Sequence, residues 1–209
     1  MKRQIALSLL YERSTVMRSA TIERKTGETQ ILLSLNVDGT GIFSGSSGIG
    51  FFDHMLQLFS RHGSFDLAVS VDGDLAVDTH HTLEDLAIVL GDALTEALGN
   101  RAGIRRYGMF YCPMDEVLTR VVIDLSGRPY LVCDVTVRAE RIGDFETEML
   151  YDFLYAFAVH GGMNLHIANL YGSNSHHIVE SVFKALGHAL REAVYDDGSG
   201  VILSTKGVL

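Results

Sequence analysis

The feature that most constrains this chain of 209 residues is an internal repeat. Residues 80–97 and residues 176–193, at an offset of 96, both begin with His-His-x-x-Glu and continue with Leu-Gly-x-Ala-Leu-x-Glu-Ala. Apolar residues recur every three or four positions in both segments, which predicts two amphipathic helices. Self-similarity of this kind indicates two copies of one structural unit, each with the motif in the first turn of a helix.

A second correspondence lies upstream of each motif. Residues 52–63 match residues 150–161 at an offset of 98, and both segments are typical of apolar helices that end at glycine. Strand-like runs surround these helices, at residues 30–37 and 65–71 in the first half and at residues 118–125, 130–137 and 163–167 in the second. We therefore predict an α+β fold of two pseudo-symmetric halves, each a small sheet with helices on one face.

The two halves are predicted to form one domain, because neither half has enough elements to cover its own apolar face. This domain covers residues 21–209, with repeats at about 21–100 and 101–209, and it follows an N-terminal extension of residues 1–20. The extension has an apolar run that is too short for a signal peptide and is followed by charged residues.

Composition narrows the class of protein. The hydrophobic content of 47% and charged content of 21% are typical of a globular chain. A net charge of −9 argues against general nucleic-acid binding, and no apolar stretch is long enough to span a bilayer. Two cysteines are too few for a disulfide framework, so we expect a cytoplasmic protein that binds neither membrane nor nucleic acid.

The repeated motif predicts metal binding. Residues four positions apart share one face of a helix, so His80 lies beside Glu84 and His176 lies beside Glu180. Imidazole and carboxylate ligands suit Zn, Mn, Fe, Co or Ni, and the lack of thiolates weakens a structural zinc site. His54 is a further candidate ligand, and its repeat equivalent Asp152 is also a competent one.

The tandem histidines carry a second prediction. Successive helical residues are rotated by about 100 degrees, so His81 cannot easily join His80 on one ion, and the same holds for His177 beside His176. Each pair then serves two different metals. Either the two motifs face each other closely in one chain, or the second metal is shared with another subunit.

The chain also resembles the imidazoleglycerol-phosphate dehydratase family, from about residue 21 to the C-terminus. The resemblance is carried by five separated motifs in order, at residues 51–56, 78–85, 124–130, 174–185 and 204–209. The last three read Asp-Leu-Ser-Gly-Arg-Pro-Tyr, Asn-Ser-His-His-Ile-Val-Glu with Phe-Lys-Ala, and Ser-Thr-Lys-Gly-Val-Leu.

The resemblance implies a manganese-dependent dehydration of imidazole glycerol phosphate to imidazole acetol phosphate in histidine biosynthesis. It implies two Mn²⁺ ions per active site and a homo-oligomer of 24 subunits built from trimers, with active sites at interfaces. The metal ligands that it implies are His54, His80, His81, Glu84, His176, His177 and Glu180. It further implies acidic active-site residues at Glu28 and Asp115, and a phosphate site formed by Arg106, Arg128, Lys184, Ser204 and Lys206.

One departure from the family pattern affects the ligand set. The family usually has histidine where this chain has Asp152, so we expect an oxygen ligand there. In the mechanism that the resemblance implies, Glu180 or Glu28 moves the proton, while basic residues hold the phosphate and align the three-carbon chain.

Two other functions remain open from the residues. A dimetal hydrolase would use similar ligands, and a metal-storing shell would bind metal without catalysis. Storage proteins usually have all-helical bundles with Glu-x-x-His, which the strands and His-His-x-x-Glu motifs of this chain argue against. His188 lies on the helix face away from the motif and is expected to face solvent.

Overall fold

The structure is a computed structural model that describes residues 17–209. Two four-stranded sheets share one topology, with the strand orders β1-β2-β4-β3 and β5-β6-β10-β7. In each sheet one pairing is parallel, β3 with β4 and β7 with β10, and the other pairings are antiparallel. The strands are β1 (Ser19–Lys25), β2 (Thr29–Asn36), β3 (Phe43–Ser46), β4 (Asp66–Gly73), β5 (Tyr107–Met114), β6 (Val117–Asp124), β7 (Tyr130–Asp134) and β10 (Asn164–Tyr171).

Four helices and one short hairpin complete the described part of the chain. The helices are α1 (Gly50–Gly63), α2 (His80–Leu98), α3 (Met149–His160) and α4 (Ser175–Val194). The hairpin consists of β8 (Arg141–Ile142) and β9 (Phe145–Glu146). Among residues 17–209, no helix has the length and apolar character needed to cross a membrane.

The helices pack together between the two sheets, and they do so across the repeat boundary. Helix α2 covers β1 and β2, while α4 covers β5 and β6. Helix α1 of the first half packs on α4 of the second, and α2 packs on α3. The two halves therefore share one continuous core, and the predicted α+β fold of two similar halves is confirmed.

The glycine that both repeats carry in their second helix explains how closely these helices cross. A Cβ at Gly91 would lie 2.5 Å from the Cβ of His160 in α3, and one at Gly187 would lie 2.7 Å from the carbonyl oxygen of Phe59 in α1. Glycine inside a helix costs roughly 0.5–1 kcal/mol relative to alanine. Here it is retained because a larger residue would push the crossing helices apart.

The strands follow the alternation expected for sheets with one buried face. Ile31, Leu33 and Leu35 of β2 point into the core, and the residues between them are exposed or half-buried. Strand β1, with the charged run Glu-Arg-Lys on a sheet edge, and strand β5, which contains Pro113, were not predicted. Strand β7 ends at Asp134, three residues before the predicted end.

The structure also shows where the first sheet begins relative to the predicted N-terminal extension. Strand β1 begins at Ser19, so the last two residues of the predicted extension belong to the first sheet. Of the rest of the predicted extension, residues 1–16 lie outside the described residues.

The prediction that His188 faces solvent is wrong. Its ring is half-buried, stacks on Phe110 at a centroid distance of 4.0 Å, and lies 3.0 Å from Nδ1 of His62 through its own Nε2. The face of α4 away from the motif is not free, because β5 and α1 both cover it. Burial lowers the pKa of both histidines. At His62 the charges of His188 and Lys184 lower the pKa further. At His188 the charge of Arg191 lowers the pKa further.

The half-buried pair His62 and His188 should make the free energy of unfolding depend on pH. A lowered pKa means that the folded protein binds the proton less readily than the unfolded chain, for which the pKa is 6.5. The free energy of unfolding should therefore fall as the pH drops through 6.5 towards the lowered values. The variant His188→Gln should lose less stability than wild type between about pH 7.5 and about pH 5.5. Denaturant unfolding in chelator at both pH values measures this, and an equal loss in both proteins would contradict the assignment.

Candidate metal centre and basic pocket

One cluster of metal-ligating side chains forms where α1 meets α4. His54 of α1 and His176 and Glu180 of α4 each offer a ligand atom, and these three atoms lie within 4.8 Å of one another. The His176 Nε2 atom is 3.1 Å from Glu180 Oε2, and the His54 Nε2 atom is 4.0 Å from the same oxygen. We call these three residues the His176 half-site.

Lys184 fixes the charge of this half-site. Its Nζ atom lies 2.6 Å from Glu180 Oε1, on the carboxylate oxygen that faces away from the histidines. Burial by itself raises the pKa of Glu180, but the hydrogen bond and charge of Lys184, with His176 and His54 contributing, outweigh it and bring the pKa below its ordinary value. Glu180 is therefore ionised, with one oxygen bound to Lys184 and the other directed at the histidines, as a metal ligand requires.

The equivalent residues of the first repeat form a looser pair, which we call the His80 half-site. The His80 Nε2 atom lies 3.7 Å from Glu84 Oε2, and both side chains are exposed. The two motif helices begin alike, because Asp78 Oδ1 accepts from the His80 amide and Asn174 Oδ1 accepts from the His176 amide, at the same offset of 96 residues. Asn174 is the N-cap of α4, whereas the N-cap of α2 is Thr79, which has no side-chain cap, so Asp78 binds the first turn of α2 from one residue further out.

Asp152 lies in the first turn of α3, the helix that packs on α2. Asp152 is the repeat equivalent of His54, but among the described residues it does not form a ligand cluster with His80 and Glu84 of the kind that His54 forms with His176 and Glu180. Its side chain is half-buried, and within residues 17–209 it makes no hydrogen bond or ion pair. It is thus an unengaged carboxylate on the helix next to the His80 half-site.

The second histidine of each motif faces an acidic residue through its outer nitrogen. The His81 Nε2 atom is 3.6 Å from Glu28 Oε1, and the His177 Nε2 atom is 3.7 Å from Asp115 Oδ2. Both acids lie in the tight turns between the first two strands of their sheets, β1–β2 and β5–β6. The equivalent turns therefore bring an exposed carboxylate to each tandem histidine.

The inner nitrogens of the same histidines are bound more tightly. The His81 Nδ1 atom lies 3.0 Å from Asp74 Oδ2, and the His177 Nδ1 atom lies 2.9 Å from Glu116 Oε2. These hydrogen bonds are the main reason that the pKa of each histidine is raised. The bond to His177, helped by backbone amides, lowers the pKa of Glu116 to about 2.

The β8–β9 hairpin links the helices that carry the two half-sites. The carboxylate of Asp144 accepts hydrogen bonds from the amides of Gly50 and Phe51, at 2.8 and 3.2 Å, and so caps α1 four residues before His54. Glu146 accepts from the hydroxyl of Thr79 at 2.9 Å, directly before His80. One hairpin thus holds the starts of α1 and α2, and both half-sites lie at the same end of the molecule.

A separate pocket gathers basic residues. Its volume is about 460 Å³, and its lining includes four predicted phosphate ligands, Arg106, Arg128, Ser204 and Lys206. Arg106 binds Asp124 through two hydrogen bonds of 2.6 and 3.0 Å and donates to the Leu203 carbonyl at 2.7 Å, which holds the C-terminal tail against the sheet. The convergence of these residues was not visible in the sequence.

Lys184, the fifth predicted phosphate ligand, lies elsewhere, at the His176 half-site. The basic pocket lies at the start of β5 and the end of α4, where the Arg106 amide donates to the carbonyl of Ala193 at 2.9 Å. Asp115 and His177 lie at the other ends of the same two elements. Eight strand residues at about 3.3 Å each separate the two places by roughly 25 Å.

Sequence reasoning missed four residues that order the site: Asp74, Glu116, Asp144 and Glu146. Three of them reach the site from loops and hairpins with no fixed spacing to the motifs, so no local pattern identifies them. Of the four, only Glu116 could have been identified from the sequence, because it is adjacent to the candidate Asp115.

Comparisons with known proteins agree with one another. The sequence model described as imidazoleglycerol-phosphate dehydratase matches residues 47–190. A relative of that name from Thermoanaerobacter pseudethanolicus is 56% identical over 194 residues, 92% of this chain and 100% of its own length. Another from Heliobacterium modesticaldum is 55% identical over 195 residues, with the same coverage of both chains.

Solved structures give the same result for the fold. The crystal structure of imidazoleglycerol-phosphate dehydratase from Staphylococcus aureus subsp. aureus N315 is 36% identical, with a TM-score of 0.78 over 85% of this chain and 99% of its own. That of the Pyrococcus furiosus protein is also 36% identical, with a TM-score of 0.77 over 90% of this chain and 100% of its own.

Proposed function

Since the chain belongs to the imidazoleglycerol-phosphate dehydratase family, we propose that its two half-sites hold a pair of Mn²⁺ ions for the dehydration of imidazole glycerol phosphate. The dehydratase activity itself, a hydro-lyase step of histidine biosynthesis, follows from the family. The observation that supports the metals most directly is the convergence of His54, His176 and Glu180 within 4.8 Å.

The donor chemistry fits a divalent ion of intermediate softness. Two imidazoles and one ionised carboxylate form the His176 half-site, while His80, Glu84 and Asp152 supply one imidazole and two carboxylates on the paired helices α2 and α3. Nitrogen and oxygen ligands without thiolate suit Mn²⁺ among other divalent metals. When bound, such ions supply Lewis-acid polarisation of the substrate imidazole.

Neither half-site is complete in one chain. His81 and His177 direct their Nε2 atoms towards Glu28 and Asp115, away from the ligands that precede them. We propose that each serves a half-site of a neighbouring subunit, so that His81 completes the His176 half-site of another copy and His177 completes the His80 half-site. Every ion would then have three ligands from one chain and a fourth from the next.

The distance of the basic pocket from the half-site of its own chain also supports a site shared between subunits. The pocket lies roughly 25 Å from the His177 end of its own chain, by the rise of eight strand residues. The three-carbon chain that joins imidazole to phosphate in the substrate is far shorter. We propose that Arg106, Arg128, Ser204 and Lys206 bind the phosphate of a substrate whose ring lies at another subunit's half-site, while Lys184 reaches it locally.

Among the acids, Glu28 is better placed than Glu180 to move the proton. Both oxygens of Glu180 are engaged, one by Lys184 and one by the histidines. The Glu28 side chain is exposed, and within the described residues its carboxylate has only the 3.6 Å contact with His81, a ligand of the proposed centre. It can accept the proton from one substrate carbon; the C–H electron pair forms the double bond, and the hydroxyl leaves the adjacent carbon to complete the lost water.

The outer face of the second sheet offers a surface for assembly. Met109, Val122, His166 and Val132 form one row across β5, β6, β10 and β7, and exposed tyrosines line the neighbouring rows at Tyr107, Tyr111 and Tyr130. The equivalent face of the first sheet is mostly polar, with Glu23 and Ser70 beside Leu32, and with Ser34 beside Ala68. We propose that the apolar face packs on further copies of this chain in a homo-oligomer, for which we expect 24 subunits built from trimers in the cytoplasm.

Metal removal tests the catalytic proposal. Protein stripped with chelator should lose dehydratase activity and recover it with Mn²⁺, and elemental analysis should give close to two ions per chain, because two half-sites exist. His176→Ala should bind one ion fewer, whereas the matched control His160→Ala, at the C-terminal end of α3 and outside both half-sites, should keep both. Full activity in the stripped protein, or one ion or none after reconstitution, would contradict the proposal.

A charge on the apolar sheet face tests the assembly proposal. Met109→Glu should shift sedimentation towards smaller species, because an unpaired carboxylate is costly to bury in an interface. The control is Leu32→Glu, which introduces the same charge at a similarly exposed apolar residue of the other sheet, 49% against 54% exposed. The proposed face is wrong if Met109→Glu retains the wild-type sedimentation coefficient.

A further inference from the structure

Two carboxylates stand behind the tandem histidines, on the side opposite the proposed metals. Asp74 contacts His81 at Nδ1, and Glu116 contacts His177 at Nδ1, at 3.0 and 2.9 Å. A carboxylate can only accept, so each histidine donates its Nδ1 proton. The neutral ring then carries its lone pair on Nε2.

We infer that Asp74 and Glu116 are positioning residues, each of which fixes the tautomer and the ring orientation of one tandem histidine so that its Nε2 is free to bind metal. The inference rests on the proposed two-metal function, and it adds two residues to the machinery of that site. A histidine ligand bound to metal through one nitrogen commonly donates its other N–H to a carboxylate, which orients the ring and raises its basicity.

The carboxylate at Nδ1 comes from a different position in each half of the chain. The two contacts are therefore not explained by the repeat alone. Glu116 lies in the turn between β5 and β6, whereas Asp74 directly follows β4. Strands β2 and β6 correspond at an offset of 88, so the true equivalent of Glu116 is Glu28, which contacts the other nitrogen of its histidine. Both histidines have nonetheless acquired a carboxylate at Nδ1.

Each carboxylate is held so that it faces its histidine. Oε1 of Glu116 accepts from the amides of Ser173 and Asn174, at 3.3 and 2.8 Å, which leaves Oε2 for His177. The Asp74 amide donates to the Glu28 carbonyl at 3.1 Å. Its Oδ1 atom is buried and has no hydrogen-bond partner within the described chain, so His81 is the one side chain that the carboxylate binds.

The decisive variants replace each acid by its amide. In Glu116→Gln the amide oxygen can still accept from the Ser173 and Asn174 backbone, which preserves the loop. The amide nitrogen then points at His177 and can only donate, so the imidazole must accept at Nδ1 and carry its proton on Nε2. Asp74→Asn should act on His81 in the same way. Each variant thus blocks one metal-binding nitrogen without removing a contact from the fold.

The chain contains a matched control. His160 Nδ1 lies 2.8 Å from Asp92 Oδ1, the same pair of groups at a similar distance, on helices α3 and α2 and outside both half-sites. Asp92→Asn removes a carboxylate–histidine pair without touching the proposed metals. It separates an effect on the ligands from a general effect of losing such a pair.

The experiment is a titration of the chelator-treated full-length protein with Mn²⁺, followed by the electron paramagnetic resonance of the free ion, together with thermal melts of each metal-free variant. We expect Asp74→Asn and Glu116→Gln each to weaken one of the two Mn²⁺ equivalents by something like 10–100-fold. Both should melt as wild type does when metal-free, and Asp92→Asn should bind both ions normally. The direct ligand variants His81→Ala and His177→Ala should each lose one equivalent.

The positioning role would be overturned if both amide variants bound Mn²⁺ with wild-type affinity while His81→Ala still lost an ion. That result would leave the proposed metal function intact. An equal loss in Asp92→Asn would also overturn it, since the effect would not be specific to the site. If wild type itself bound no Mn²⁺, the proposed function would fail first, and this inference with it.

Discussion

The close crossing of helices from opposite halves of the chain determines where the candidate metal ligands lie. Gly187 lets α4 approach α1 at the backbone of Phe59, and Gly91 lets α2 approach α3 in the same way. Because the crossings pair a first-half helix with a second-half helix, His54 meets His176 and Glu180 although more than a hundred residues separate them in sequence. Larger side chains at either glycine would separate the helices and, with them, the ligands.

A consequence of this packing is that the candidate ligands of one chain point in different directions. The tandem histidines project from the same turns in directions too different for one ion, so half of them face outwards to carboxylates at the surface. The basic pocket lies at the far end of β5 and α4. Because strand rise and helix rise keep these two places far apart in one chain, the proposed site needs two copies, with His176 from one and Arg128 from another.

The motif geometry was predictable because it is local. A helix alone places His80 beside Glu84 and His176 beside Glu180, and the matching offsets predicted the two-half fold. The rest depends on contacts between distant segments. Asp144 caps α1 from a hairpin that has no counterpart in the first repeat, and Ser204 meets Arg106 only because the tail is bound to the sheet. Strand β1 escaped prediction since edge strands tolerate charge, and His188 was misplaced because its covering strand β5 was not foreseen.

The central claim is that one active site combines the half-site of one subunit with the basic pocket of another, and mixing inactive variants tests it most directly. His176→Ala and Arg128→Ala should each be nearly inactive alone. Dissociated together in chelator and reassembled with Mn²⁺, they should regain a substantial fraction of wild-type dehydratase activity, since some sites receive both intact parts. A mixture of His54→Ala with His176→Ala, which damages the same half-site twice, should stay inactive. The account would be contradicted if the activity of the first mixture never exceeded the summed activities of His176→Ala and Arg128→Ala measured alone.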